Sequence, residues 1–265
     1  MRDSKRAMSF GHAAVLAVKR ACYGSRGEPF RIAGHTLRFM PGTRPTRLRY
    51  ADSPNRVNRF DALQAKLLSE NLRPGDLALD VGGNVGGVAL IMAACVGPAG
   101  RVVTFEPDPA SRAKMGRNFD LNPSVTWAKI EPFAVSDQPG TASFFSDGAN
   151  SSLMKSATAH PDAASTVAVE MVTLDGYLAP ADVPAWVKID IEGAEIAALR
   201  GARRLLDGPT NFVVELHPYA WPAFGAAFDD LKQVVSAAGR RIRYLDEPHE
   251  IAGDPIYGTA VLERT

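Results

Sequence analysis

The chain has 265 residues, 46% of them hydrophobic and 22% charged, with a formal net charge of +1. That balance is globular, and the length suits one α/β domain with an added element. No run nears the ~18 apolar residues of a membrane span. The two cysteines, Cys22 and Cys95, stand far apart and away from any histidine cluster, which argues against a disulfide framework or a zinc site and for a reducing, cytoplasmic compartment.

Charge is unevenly placed along the chain. Residues 1–60 hold 13 Lys and Arg against 3 Asp and Glu, and the remainder 17 against 26. So basic a segment can face an anionic partner or surface, a second copy, or simply its own acidic domain. It has neither zinc-finger spacing nor interleaved aromatics, so there is no specific nucleic-acid signal. Arg2, Lys5 and Arg6 precede an apolar stretch from Ala13 to Val18, but Lys19 and Arg20 end it short of a secretory leader. Apolar spacing predicts a helix over 5–23, and FRIAGHTLRF followed by PGTRPTRLRY reads as a hairpin turning at Pro41–Gly42. Residues 1–57 are thus expected to form an appendage to a domain spanning 58–265.

That domain opens with a helix over 58–71, broken by RPGD. Strand, turn and helix then alternate: LALDVG with a helix over 86–95, and RVVTFEP with a helix over 109–119. After the strand VTWAKIEPFAVS, a small-residue stretch over 144–166 reads as a loop, either a lid over substrate or a segment without function. VKIDIEG leads into a helix over 194–206, NFVVELH into one over 223–238, and two strands joined by a loop end the chain. Such alternation implies a parallel sheet covered on both faces, with ligands at the C-terminal strand ends.

The stretch LDVGGNVGG, residues 79–87, asks what needs the backbone so close. A dinucleotide fingerprint requires glycine where Asn84 stands, so a nicotinamide oxidoreductase is disfavoured. A nucleoside without phosphates fits better. S-adenosylmethionine is one: Asp80 offers charge to its ammonium, N–H groups at the helix start can meet its carboxylate, and Gly82 and Gly86 keep side chains away. The glycines can also serve only to pack the helix on its strand. Glu106 ends the next strand, 24 positions after Gly82, where nucleotide folds place an acid on ribose hydroxyls, and Pro107 then turns the chain.

LDVGGNVGGVAL, FEPDPASRAKMGRNFDLN, FAVSDQPGTASFF, VTLDGYL, WVKIDIEGAEIAALRGARRLL and FVVELH follow one another over roughly residues 70–217. Together they resemble the FkbM family of S-adenosylmethionine-dependent methyltransferases. The resemblance implies a Rossmann-like class I methyltransferase fold, a mostly parallel seven-stranded sheet with helices on both faces. It further implies O-methylation of a hydroxyl on a sugar, glycan or natural-product acceptor. By the same resemblance, Asp80, Gly82, Asn84 and Gly86 hold the methionine end, Glu106 the ribose, and Ala134, Val135 and Ser136 lie near the adenine. Gly83 and Gly87 depart from the family, which usually has alanine and a larger residue there. A non-catalytic binding domain of the same fold stays open as an alternative.

At the second pair of strand ends, alternation puts Lys188 and Asp190 on one face, with Glu192 continuing that direction, and Glu215 with His217 likewise. Polar groups at such positions suit catalysis beside a cofactor. His217 can take the acceptor's proton near neutral pH, Asp190 can accept it or orient the hydroxyl, and Lys188 keeps Asp190 ionised. Each also has a plain role: an ion pair for Lys188 and Asp190, a helix N-terminal charge for Glu192, a strand-end residue for His217. No metal is assigned, although Asp190 with Glu215 or His217 has ligand chemistry.

Overall fold

The computed structural model describes residues 14–46, 48, 51, 56–146, 151–154, 165–245 and 257–265. Helix α1 covers 14–23, and the earlier part of the expected helix lies outside the described residues. Strands β1 (Glu28–Ile32) and β2 (His35–Phe39) pair antiparallel, with Ile32 opposite His35. The hairpin therefore turns at Ala33 and Gly34, whose φ angles are +47° and +78°, rather than at Pro41–Gly42. Two positive φ angles give a tight turn whose twist matches that of the strands. Phe30, Ile32, Leu37 and Phe39 alternate onto the inner side and pack in one cluster with Leu68 of helix α2 (Arg56–Asn71).

The alternating run follows. Strand β3 (Leu77–Val81), helix α3 (Gly87–Val96), strand β4 (Arg101–Phe105), helix α4 (Pro109–Asp120) and strand β5 (Ala128–Glu131) form the first half. The expected strand over 125–136 is two pieces, β5 and the short β6 (Ala134–Val135). Strands β7 (Gly140–Ser146) and β8 (Ser165–Val172) pair antiparallel and form a small sheet with β6. Much of the expected loop over 144–166 thus connects a hairpin, and 147–150 and 155–164 lie outside the described residues. After the one-turn helix α5 (Leu174–Tyr177) come β9 (Trp186–Ile189), α6 (Glu195–Arg200), α7 (Arg203–Asp207), β10 (Asn211–Leu216), α8 (Phe228–Ser236), β11 (Arg240–Tyr244) and β12 (Gly258–Arg264).

Two expected helices are shorter than their patterns. The one over 194–206 breaks into α6 and α7 at Gly201, which lies so close to the Ser136 carbonyl that a Cβ there would sit 2.1 Å from its oxygen. The one over 223–238 starts only at Phe228, after a 3-10 turn ended by Gly225 in the left-handed region.

The large sheet runs β11-β12-β10-β9-β3-β4-β5. The strands from β10 to β5 are parallel, and β12 runs antiparallel to both its neighbours. This is the mostly parallel seven-stranded sheet the Rossmann-like methyltransferase fold calls for. Period-two alternation sends Leu79, Val81, Val187 and Ile189 into the cluster shared with α6, α7 and α8, while Ala78, Trp186 and Val213 meet α2 and α3. Strand order reverses between β3 and β9. The crevice at that switch point, beyond the strands' C-terminal ends, is where such sheets bind ligands.

Candidate active site

The turn after β3 is shaped by crowding. Gly82 has φ +83°, and a Cβ there would lie 1.8 Å from the Asp190 carbonyl oxygen. Gly83 faces the Thr104 hydroxyl, 2.0 Å from where its Cβ would be. Both positions need glycine for close approach of neighbouring strands. Asn84 follows in the left-handed region at φ +47°, a conformation asparagine tolerates. Its N–H donates to Glu106 Oε2 at 2.6 Å, and the Asp108 N–H donates to Oε1 at 2.8 Å. Glu106 is buried, and burial pushes its carboxyl up to about 7 against the pull of these two N–H groups.

Glu106 lines an open cleft with Gly82, Asn84 and Pro107. Phe133, Ala134 and Val135, beyond β5, give it an apolar end with Phe105 and Phe144, and Asp190 and Glu192 line it beyond β9. Ser151 and Leu153 belong to the stretch read as a loop, so its described part does wall the site. Ser152 anchors that wall, its Oγ donating to the Glu192 carbonyl at 3.0 Å.

Three expected cofactor contacts lie elsewhere. Asp80 has no exposed surface and is not on the cleft's wall. Alternation points it to the α3 side of the sheet, where its cross-strand neighbour is Lys188, and Lys188 Nζ stands 3.2 Å from Oδ1. Gly86 lies against Met115 of α4. Ser136 bonds the Val172 carbonyl and Asp137 and abuts Gly201 rather than facing the cleft.

Lys188 is a buried strut. Besides Asp80 it reaches the Gly82 carbonyl at 2.7 Å and Asp190 Oδ2 at 3.4 Å. Burial works against its charge, but Asp80 and Asp190 outweigh that and hold its pKa above the usual lysine range. It thereby ties β3, the glycine turn and the end of β9 together.

Beyond β9 and β10 the expected polar groups do converge, by a route the strand pattern did not give. β9 ends at Ile189, and Glu192 is delivered by a left-handed turn at φ +49°. His217 is buried, with Nδ1 2.8 Å from Glu195 Oε1. Its Nε2 faces Glu192 at 3.6 Å, Asp190 at 3.8 Å and Glu215 at 3.8 Å. Burial opposes charge on the ring, but the Glu195 bond and surrounding carboxylates raise its pKa to about 10. The carboxylates around the ring thus favour its charged form, which runs against the expectation of a histidine base titrating near neutrality. Glu215 is pushed up to about 8 by burial and by Asp190.

Sequence reasoning missed the groups that hold this cluster. Glu195, bonded also by Trp221 Nε1 at 2.8 Å, orients His217 from the start of α6. Tyr219 donates to Glu192 Oε2 at 2.8 Å, and Tyr257 to Glu215. Tyr219 is 61% exposed and its ring lies 6.3 Å from that of Tyr257, giving the cluster an aromatic margin. The polar–aromatic spacing HPYAW was the available signal for Tyr219 and Trp221; nothing local marked Tyr257. A second cleft opens on the far side of the glycine turn, between Thr43, Pro45 and Thr46, Gln64 of α2, Lys188 and Glu215. Gly82, Asn84 and Asp190 border both clefts.

The family model described as the methyltransferase FkbM domain matches residues 80–242. A relative, the hexuronic acid methyltransferase AglP of Haloferax volcanii, is 28% identical over 156 residues, 57% of this chain and 60% of its own length. The chain thus spans about 60% of the length of that relative. Among solved structures, a methyltransferase FkbM from Methylobacillus flagellatus KT aligns over 78% of this chain and 52% of its own, with 14% identity and a TM-score of 0.47. An S-adenosylmethionine-dependent O-methyltransferase from Thermotoga maritima aligns over 90% and 77%, with 11% identity and a TM-score of 0.45.

Proposed function

Because the chain belongs to the FkbM methyltransferase family, we propose that it moves a methyl group from S-adenosylmethionine to a hydroxyl oxygen of a sugar or sugar-like acceptor. The observation that carries this reading is Glu106, held by two backbone N–H groups on the wall of a cleft that is apolar at one end and acidic at the other. The residues fit the donor. Glu106 takes the ribose hydroxyls, the slot of Phe133, Ala134 and Val135 the adenine, and the turn at Gly82 and Asn84 the methionine end. When bound, S-adenosylmethionine supplies an electrophilic methyl on a sulfonium.

The chain's own work lies at the acidic end. Asp190 lines the cleft, and Lys188 fixes its Oδ2. Oδ1 is left to accept the hydrogen bond of an incoming hydroxyl and then its proton as the oxygen is alkylated, a contribution of about 10²–10⁴-fold. His217 sits behind Asp190 and Glu192 as a buried cation that holds their charges together. Asp190, Glu192, Glu195 and Glu215 crowd one strand edge, which suits a hydroxyl acceptor better than an anionic oxygen. The name of the Haloferax relative supports a sugar acceptor, and the exposed Tyr219 offers a ring face for one. We place the reaction in the cytoplasm, in keeping with the two free cysteines; among the described residues no helix is long and apolar enough to cross a membrane.

The test is transfer of a deuterated methyl to a panel of neutral and uronic-acid glycosides, with the product located by mass-spectrometric fragmentation. Label on a ring hydroxyl is the expected result. Label only on nitrogen, or only on the uronate carboxylate, would count against the hydroxyl assignment.

A further inference from the structure

The atoms around His217 are arranged in pairs. Each of three side chains has one heteroatom tied by a neighbour and the other aimed at a common point. His217 Nδ1 is tied to Glu195, leaving Nε2. Asp190 Oδ2 is tied to Lys188, leaving Oδ1. Glu192 Oε2 is tied to Tyr219, leaving Oε1. The three remaining atoms face one another: Nε2 is 3.6 Å from Glu192 Oε1 and 3.8 Å from Asp190 Oδ1, and all three ligand atoms lie within 4.8 Å of one another. The His217 side chain is only 1% exposed, and its Nε2 also has Glu215 Oε1 at 3.8 Å.

We infer that Asp190, Glu192 and His217 bind a divalent cation of the Mg²⁺ or Mn²⁺ class. Ligand atoms about 2.1 Å from such an ion stand about 3.0 Å apart when adjacent and about 4.2 Å when opposite, and the two separations from Nε2, 3.6 and 3.8 Å, fall between. A ligating histidine characteristically has its second nitrogen on a carboxylate that fixes the ring, the part Glu195 plays here. Two carboxylate oxygens and one imidazole suit an oxygen-preferring ion better than zinc in a closed four-ligand site. Coordination displaces any proton on Nε2 and relieves the crowding of carboxylates. Asp190 and Glu192 also line the cleft, so the ion's remaining positions open toward the acceptor. On the methyltransferase reading, which this last step rests on, an acceptor hydroxyl takes one of them. Its pKa then falls through the ion, as for other metal-bound oxygens, and its proton leaves to water in the open cleft, so that with the ion bound Asp190 acts as ligand and the base role proposed above belongs to the metal-free site.

The test is binding of Mn²⁺ to the full chain, followed by electron paramagnetic resonance with neither donor nor acceptor present. One tight Mn²⁺ per chain is expected, displaced by Mg²⁺ and carrying a nitrogen hyperfine coupling from imidazole. Glu192→Gln, at a partly exposed position chosen because it leaves the buried network in place, should weaken binding at least tenfold with unfolding temperature unchanged. Glu195→Gln should weaken it about 10–100-fold as a positioning change. Absence of binding at millimolar Mn²⁺, binding without nitrogen coupling, or equal affinity in Glu192→Gln would overturn the inference and leave the imidazole–carboxylate ion pairs as its whole content. A failure of the methyltransferase reading shows separately, as lack of S-adenosylhomocysteine binding.

Discussion

Lowering the pH from 8 to 6 should loosen donor-product binding through one residue. Glu106 accepts ribose hydroxyls only as a carboxylate, and burial has moved its pKa up to about 7. At pH 8 about nine tenths of the protein is ionised there, and at pH 6 about one tenth, so the fraction competent to bind falls about tenfold. Apparent affinity falls by the same factor when only the ionised form binds. The sign follows from the direction of the shift: an acid whose pKa is raised by folding loses its charge as pH drops through about 7, well above its ordinary 4.5. Calorimetric titration with S-adenosylhomocysteine at half-unit steps between these limits reads it. Glu106→Gln provides the control, since it removes the titration while any titration of the ligand remains. It should flatten the profile and weaken binding at pH 8 by about 1.5–3 kcal/mol, the scale of hydrogen bonds to a charged group. Equal affinity of the wild type at pH 6 and 8, or wild-type affinity in Glu106→Gln, would refute the placement of the ribose on this residue.

The same shift acts on the unliganded fold: Glu106 contributes stability that is fully present below pH 4.5 and lost as pH rises through about 7, so saturating S-adenosylhomocysteine should raise the unfolding temperature more at pH 8 than at pH 6 in calorimetric scans. Lys188→Met leaves Asp80 buried without its counterion and should cost about 3–5 kcal/mol in urea unfolding; a loss under 1 kcal/mol would show the pair is not held as charges. Gly82→Ala forces a Cβ into the Asp190 carbonyl and should cost at least the ~1–2 kcal/mol of a left-handed alanine, with S-adenosylhomocysteine binding lost in the folded fraction. For the basic N-terminal segment we propose an anionic partner or surface, so association should weaken steeply between low and moderate salt. Lys19 and Arg44 are already paired with Glu28, and a salt-independent response would leave the segment a structural role.

How much was legible follows from which forces are local. Glycines and acids at strand ends can be read because an α/β sheet carries its ligands at those ends, and Glu106, Asn84, Ala134, Val135 and Asp190 do share the cleft. Alternation along β3 puts Asp80 beside Lys188 and away from the cleft, a placement the glycine turn alone does not reveal. His217 drew its role from an ordinary histidine pKa, which cannot register Glu195, a residue brought to it only by the crossover from β9 through α6 to β10. The hairpin turn was assigned to Pro-Gly because that pair is the stronger punctuation, whereas Ala33 takes a left-handed angle that its sequence does not advertise. Gly201 lies within the expected helix over 194–206, and the Ser136 carbonyl against it accounts for the break there. In each case the deciding contact comes from a residue distant in sequence.

The central claim, that one cleft carries a methyl donor from Glu106 to the acidic strand ends, is tested most directly by a crystal structure with S-adenosylhomocysteine. The account predicts ribose hydroxyls on the Glu106 carboxylate, adenine in the slot of Phe133, Ala134 and Val135, and the sulfur directed to the Asp190 end of the cleft. Ribose bound away from Glu106, or a sulfur directed away from Asp190, would contradict it.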